Sequence, residues 1–174
     1  MERKIVRKFN WFWAWNDDRE EAWLEEMSRQ DLHLSSLGLP CIYYFEPGAP
    51  GDYAYRLDFN TSYKDRANYL ALFTDAGWEH LGSLGGWEYF RKLRKPGEAM
   101  EIYSDNESKI QKYNRLLMYL MILFLPLVVI FTTGRPDGSL MIYQAARLVM
   151  FGFIILYLIA LLKIWARINR LKKS

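Results

Sequence analysis

YAYRLDFNTSYKDRANYLALFTDAGWEHLGSLGGWEYFRKL, residues 53–93, decides the fold of the polar part of this chain. Residues 53–59 alternate in character with the period of two that a strand demands. Ser62 and Asp65 mark a helix start, and Tyr69, Leu70, Leu72, Phe73 and Ala76 supply that helix with an apolar face. Gly77 suits its left-handed C-terminal cap. Residues 78–84 and 87–93 then read as a hairpin around Gly85-Gly86, a two-residue link able to take the positive φ of a tight hairpin turn.

The same order of strand, helix, strand, strand appears upstream. Ile5, Arg7, Phe9, Trp11 and Trp13 alternate with Val6, Lys8, Asn10, Phe12 and Ala14, a strand pattern with one mainly apolar face. Asp17 and Glu20 have the spacing of a capping box, and the helix they open runs to about Gln30. Trp23, Leu24 and Met27 form its apolar stripe, leaving Glu20, Glu21, Glu25, Glu26 and Arg29 mostly outward. Residues 32–37 and 41–46 pair across Gly38-Leu39-Pro40. At an offset of 46, Trp23-Leu24 matches Tyr69-Leu70, Met27 matches Phe73, Leu32 matches Trp78, and Tyr43-Tyr44 matches Tyr89-Phe90. The pattern predicts a βαββ duplication in an α+β class, a ferredoxin-like antiparallel sheet with two helices on one face.

Downstream the composition changes. Residues 116–133 (LLMYLMILFLPLVVIFTT) carry no charge and would span ~27 Å as a helix, close to the thickness of a bilayer core. Pro126 lies inside it, a residue tolerated in lipid where neighbouring groups satisfy the freed carbonyl. Residues 148–162 are uncharged, and with Arg147 snorkelling and Tyr143 and Trp165 as interfacial aromatics a second span runs over 143–165. The organisation expected is an α+β domain at 1–93, a connector at 94–115 whose end is helical, spans at 116–133 and 143–165 joined by an external loop at 134–142, and a basic tail at 166–174. The two spans would form an antiparallel hairpin.

Charge is divided the same way. Residues 1–108 hold 13 Lys+Arg against 19 Asp+Glu, 13 − 19 = −6, whereas residues 109–174 hold 10 against 1, 10 − 1 = +9. A folded half that is acidic argues against a nucleic-acid partner, despite the overall pI near 8.9. Lys109, Lys112 and Arg115 before the first span, with Lys163, Arg167, Arg170, Lys172 and Lys173 at the end of the second, outweigh Arg135 and Arg147 on the loop side. The positive-inside rule then predicts a cell-membrane protein with both termini cytoplasmic. Arg115, Arg147, Lys163, Trp165 and Arg167 are the expected membrane-interface residues. Residues 1–8 are charged and the aromatic run 9–15 is too short for a secretory core, so no cleavable signal peptide is expected.

No catalytic motif stands out. His33 and His80 are the only histidines and lack companions at metal-ligand spacing, and the lone Cys41 sits between apolar neighbours, so no metal or cofactor is expected. Arg56 and Asp58 share a strand face, and Arg91 sits on a strand that could lie near them. With Trp78, Trp87 and Tyr89 they form the expected ligand or partner surface, in a chain rich in aromatics with 7 Trp, 12 Tyr and 10 Phe.

Lys8-Phe9-x-Trp11-Phe12, Glu21-x-Trp23-Leu24-x-x-Met27, Tyr53-x-Tyr55-Arg56-Leu57-Asp58, Tyr69-x-x-Leu72-Phe73-x-x-Ala76-Gly77-Trp78, Gly86-Trp87-x-Tyr89-Phe90-Arg91-Lys92 and Glu101-Ile102-Tyr103-x-Asp105 together resemble the DUF2812 family over about residues 4–110. The resemblance implies a bacterial protein, often with a C-terminal hydrophobic pair and encoded near PadR-like regulators, and it carries over no catalytic residues. Asp31 departs from the pattern, standing where the first helix usually ends in Gly. The reading that follows is a membrane-anchored cytoplasmic binding or regulatory module whose partners are the lipid bilayer and a protein or small ligand. The alternatives are an enzyme of unfamiliar type built on polar groups of the sheet, and a subunit of a larger membrane complex.

Overall fold

The computed structural model describes residues 4–62, 64–133 and 140–173, the side chains of 127, 130–132 and 140–143 excepted. The chain divides into two compact units, Met1–Asp105 and Asn106–Ser174.

The first unit contains β1 (Val6–Phe9), α1 (Asp17–Arg29), β2 (Leu32–Gly38), β3 (Ile42–Pro47), β4 (Tyr53–Phe59), α2 (Arg66–Asp75), β5 (Glu79–Leu84) and β6 (Trp87–Leu93). The strands form two antiparallel three-stranded sheets, β1-β3-β2 and β4-β6-β5, rather than the single ferredoxin-like sheet expected. Each half of the chain closes its own sheet with the same strand order, and each contains an irregularity at the same place, between Leu34 and Ser36 in β2 and between His80 and Gly82 in β5. These bulges are 46 residues apart, but in the last strand the repeat offset falls to 45: Phe45 opposes Leu34 as Phe90 opposes His80. The cause is the hairpin loop, which holds residues 39–41 between Gly38 and Ile42 but only Gly85 and Gly86 between Leu84 and Trp87. Both glycines have positive φ, 60° and 90°, as the two-residue turn requires.

The helices do not share a face. α1 places Leu24 and Met27 in one core with Leu34, Tyr43 and Phe45 of the first sheet and Tyr55, Leu57 and Tyr89 of the second. α2 builds a separate core from Phe73, Trp78, Ala54 and Phe90, to which Met100 and Ile102 add cover. Tyr55 and Ala54 are successive residues of β4, as Tyr89 and Phe90 are of β6, so α1 and α2 lie on opposite faces of the second sheet.

Of the α1 carboxylates expected outward, Glu26 is exposed, whereas Glu20, Glu21 and Glu25 turn inward or to the sheet edge. Glu21 Oε1 accepts from the Leu57 amide at 2.8 Å, and Glu25 Oε1 accepts from the Tyr55 amide at 3.4 Å. β4 is an edge strand of its sheet, and these two side chains occupy N–H groups that would otherwise be open to pairing. The predicted capping box does not form: Asn16 is the N-cap without a side-chain bond, and Glu20 points into the core. α2 starts at Arg66 behind Asp65, which takes a left-handed φ of 67° and also makes no side-chain cap bond.

The second unit is a pair of helices, α3 (Asn106–Thr133) and α4 (Leu140–Leu171). They run antiparallel: Asn106 Nδ2 donates to the Leu171 carbonyl at 3.2 Å, the Arg167 guanidinium lies 4.7 Å from the Tyr113 ring centre, and Phe124 stacks on Tyr157 at 5.4 Å. Tyr113, Leu116, Ala160, Ile164 and Ile168 are buried in the seam. Among the described residues one segment, Gln144–Leu171, is long and apolar enough to cross a membrane. α3 covers the residues expected for the first span and keeps Pro126 within the helix, but no second segment of that kind is found among the described residues. Of the expected external loop, residues 134–139, including Arg135, lie outside the described residues.

Candidate functional site

The six residues expected to form one surface are distributed over five places. Trp78 is buried in the α2 core. Trp87 flanks the α1 core, its ring 5.3 Å from Phe59 in an edge contact, and Tyr89 lies inside that core. Arg56 reaches around the edge of β4 to α1, with Nη1 2.9 Å from Glu25 Oε1 and Nη2 3.0 Å from Glu101 Oε1. Burial works against its charge, yet Glu21, Glu101 and Glu25 together hold the Arg56 pKa above its ordinary value.

Asp58 belongs to a polar cluster that sequence reasoning missed. It stands opposite Glu88 in the β4–β6 register, and both carboxylates are fully buried. Tyr69 Oη of α2 donates to Asp58 Oδ2 at 2.8 Å. Arg66 forks onto Glu88 with Nη1 and Nη2 at 2.6 and 3.1 Å, and His80 Nε2 donates to the same group at 2.7 Å. Two adjacent acids are thereby held by an arginine, a histidine and a tyrosine, the arrangement that buried charge requires. Burial first, and then the Asp58 charge, push the Tyr69 phenol well up.

Arg91 is on the opposite face of the sheet from Arg56 and Asp58, since it follows Tyr89 by two residues. It lines a cleft of about 500 Å³ between the neighbouring edges β2 and β5, where His33, Glu46, Tyr53, Glu79 and His80 also contribute. The strand edges are close at Leu37 and Gly82, where a Cβ on the glycine would lie 4.0 Å from Leu37 Cδ1, yet the two sheets share no ladder. Arg91 Nε and Nη2 donate to Glu79 at 2.7 and 3.1 Å, and the guanidinium lies 5.2 Å from the Tyr53 ring centre. His33 Nε2 is 2.8 Å from the Ala49 carbonyl, so that nitrogen carries the hydrogen, and Nδ1 is 3.1 Å from Ser28 Oγ. The His80 ring is committed to Glu88 and Phe90. Tyr55, cross-strand from Arg91, is fully buried, and its hydroxyl lies near Ser28 and Arg91 without reaching hydrogen-bond geometry. His33 and His80 hold near-equivalent places in the two halves, on β2 and β5, and so line this cleft from two different sheets. Among the described residues no group of three or more His, Cys, Asp or Glu could hold a metal ion.

In the second unit the expected interface residues are arranged at the helix ends. Arg147, Lys163 and Trp165 are exposed on α4, Arg167 covers Tyr113, and Arg115 lies near the start of α3. The antiparallel pairing gathers Lys109, Lys112 and Arg115 at the same end as Lys163, Arg167 and Arg170.

No curated protein and no solved structure matches the chain. A family model described as a protein of unknown function, DUF2812, matches residues 16–125, more than half of the sequence, and the chain belongs to that family.

Proposed function

We propose that this chain is a membrane-anchored binding module: the α+β unit holds a polar ligand or a peptide in the cleft between β2 and β5, and the helical pair keeps it at the bilayer. The observation that carries the reading is the joining of a well-packed polar unit to the apolar segment Gln144–Leu171. Leu148, Val149, Phe151, Phe153 and Leu162 of α4 point outward, as do Met118, Ile122, Leu125 and Val129 of α3. So much apolar surface is costly in water and favourable in lipid, which supports two spans rather than one. The cations at the shared helix end support cytoplasmic termini.

Alkaline extraction of membranes from cells making the full chain tests the anchor, with retention in the membrane pellet expected and release to the supernatant contradicting it. Accessibility of a tag on Met1 only after the cells are opened is the expected orientation. For the cleft, a thermal-shift screen of the solubilised chain against metabolites and short peptides should yield a ligand whose effect disappears in Arg91→Ala. A shift that persists in that variant places the ligand elsewhere.

A second reading, an enzyme, is favoured by one observation: His33 and Arg91 line the same cleft. Conversion of the screened ligand by the wild-type chain and not by His33→Ala would select it over simple binding.

A further inference from the structure

Residues 5–14 alternate with one mainly apolar face; β1 itself forms only over Val6–Phe9, and the structure turns that face outward. Val6 and Phe12 pack against the α1 core, whereas Ile5, Phe9, Trp11 and Trp13 are 57%, 66%, 53% and 38% exposed, with Arg7 exposed among them. β1 is an edge strand, bonded among the described strands only to β3, and these side chains of its outer face stand open. Trp11 meets Trp13 edge-on at 5.5 Å and Trp13 stacks on Trp15 at 5.2 Å, which holds the indoles as one row. Leu39, 78% exposed, stands in the hairpin loop two residues before Cys41, whose carbonyl accepts from the Asn10 amide.

We infer that this stripe of Ile5, Arg7, Phe9, Trp11 and Trp13 seats on the headgroup layer of an anionic phospholipid bilayer. Indoles partition to the membrane–water boundary, where an apolar ring and a polar N–H are both satisfied. The charge is complementary: Arg7 stands exposed within the stripe, Lys4 is exposed beside it, Lys8 lies half-buried on the Val6 side, and residues 4–15 contain no acid, inside a segment, residues 1–108, whose net charge is 13 − 19 = −6. A cationic aromatic strip on an otherwise acidic body is attracted to anionic lipid, while the rest of that body is repelled, so the unit would touch the surface by this strip. The inference rests on the membrane anchor proposed above, because tethering makes this contact intramolecular and lets a weak site be occupied.

The test uses the full chain reconstituted in vesicles of phosphatidylcholine with phosphatidylglycerol, with and without bromine on the acyl chains. Trp11→Phe/Trp13→Phe keeps the stripe apolar and removes its two reporters. Greater bromolipid quenching of the wild type than of this variant is expected, with the difference lost in Arg7→Glu and reduced in phosphatidylcholine alone. Equal quenching of wild type and variant would overturn the inference, as would indoles open to aqueous acrylamide. Burial of Trp11 and Trp13 that appears in detergent and follows protein concentration assigns the stripe to a second copy through the β1 edge, and overturns it too. Retention in the alkaline-extracted membrane is scored separately. Its loss removes the anchor, whereas retention with unquenched Trp11 and Trp13 removes only the headgroup contact.

Discussion

Tyr43 of the first sheet and Tyr89 of the second donate to the same atom, Glu20 Oε1, each at 2.7 Å. One carboxylate from α1 therefore ties both sheets through the middle of the core. Hydrogen bonds to a buried charged acceptor contribute about 2 kcal/mol each, so Tyr43→Phe and Tyr89→Phe should each lower stability by about that amount. The double variant should fall short of the sum, because either substitution alone already disturbs the shared acceptor. Thermal unfolding of the solubilised chain, read in the near-ultraviolet where the tyrosines and tryptophans report, measures the cycle.

The same carboxyl gives the unit a pH dependence. Burial raises the Glu20 pKa above its ordinary 4.5, with the Tyr89 and Tyr43 hydroxyls partly opposing the rise and Asp17 adding to it. A folded value above the unfolded one favours the protonated folded state, so this contribution is complete below pH 4.5 and is lost as pH rises through the higher folded value. Glu20→Gln does not titrate. Its stability relative to wild type should increase across that window by about 1.4 kcal/mol for each unit of displacement, whatever constant offset the amide introduces. Unfolding midpoints of both proteins across a pH series check the slope, and parallel curves would contradict it.

Arg66 is the forked partner of Glu88, whose side chain is 2% exposed. Removing the cation in Arg66→Ala leaves a buried charge to His80 alone and should cost about 3 kcal/mol. Arg66→Lys should recover only part, since an ammonium cannot fork onto both oxygens. Adding Glu88→Gln to Arg66→Ala should restore much of the loss, and chemical denaturation of the three variants decides it.

Asp31 takes a left-handed φ of 65° at the place where the second half has Gly77 at 82°, again 46 residues on. The departure from glycine thus keeps the left-handed φ and adds a side chain to it. Asp31→Gly relieves the Cβ at some cost in the unfolded chain and should raise stability by about 0.5 kcal/mol. A small upward shift in the melting midpoint is the expected result.

The hairpins were legible in the sequence because their causes are local. Glycines at 85 and 86 specify a two-residue turn, and alternation in residues 53–59 and 87–93 specifies the strands they join. Residues whose roles depend on distant partners were not legible. Glu20, Glu21 and Glu25 have the composition of a solvated helix face, and nothing within α1 indicates that two tyrosine hydroxyls and the edge amides of β4 require acceptors there. The expected surface dispersed for a related reason. Alternation establishes that Arg56 and Asp58 share a face, but it is the register of β4 against β6 that puts Arg91 on the other. The alternation of residues 5–13 was correctly seen as two-sided. Which side the core would claim depended on α1 packing against Val6 and Phe12, a tertiary choice.

Because α1 serves as the inner cover of two sheets while α2 serves one, the repeated halves are not interchangeable parts. Expressed without residues 1–50, the second half would present Tyr55, Leu57 and Tyr89 bare to solvent, so the later half of the unit depends on the earlier for the cover of its sheet.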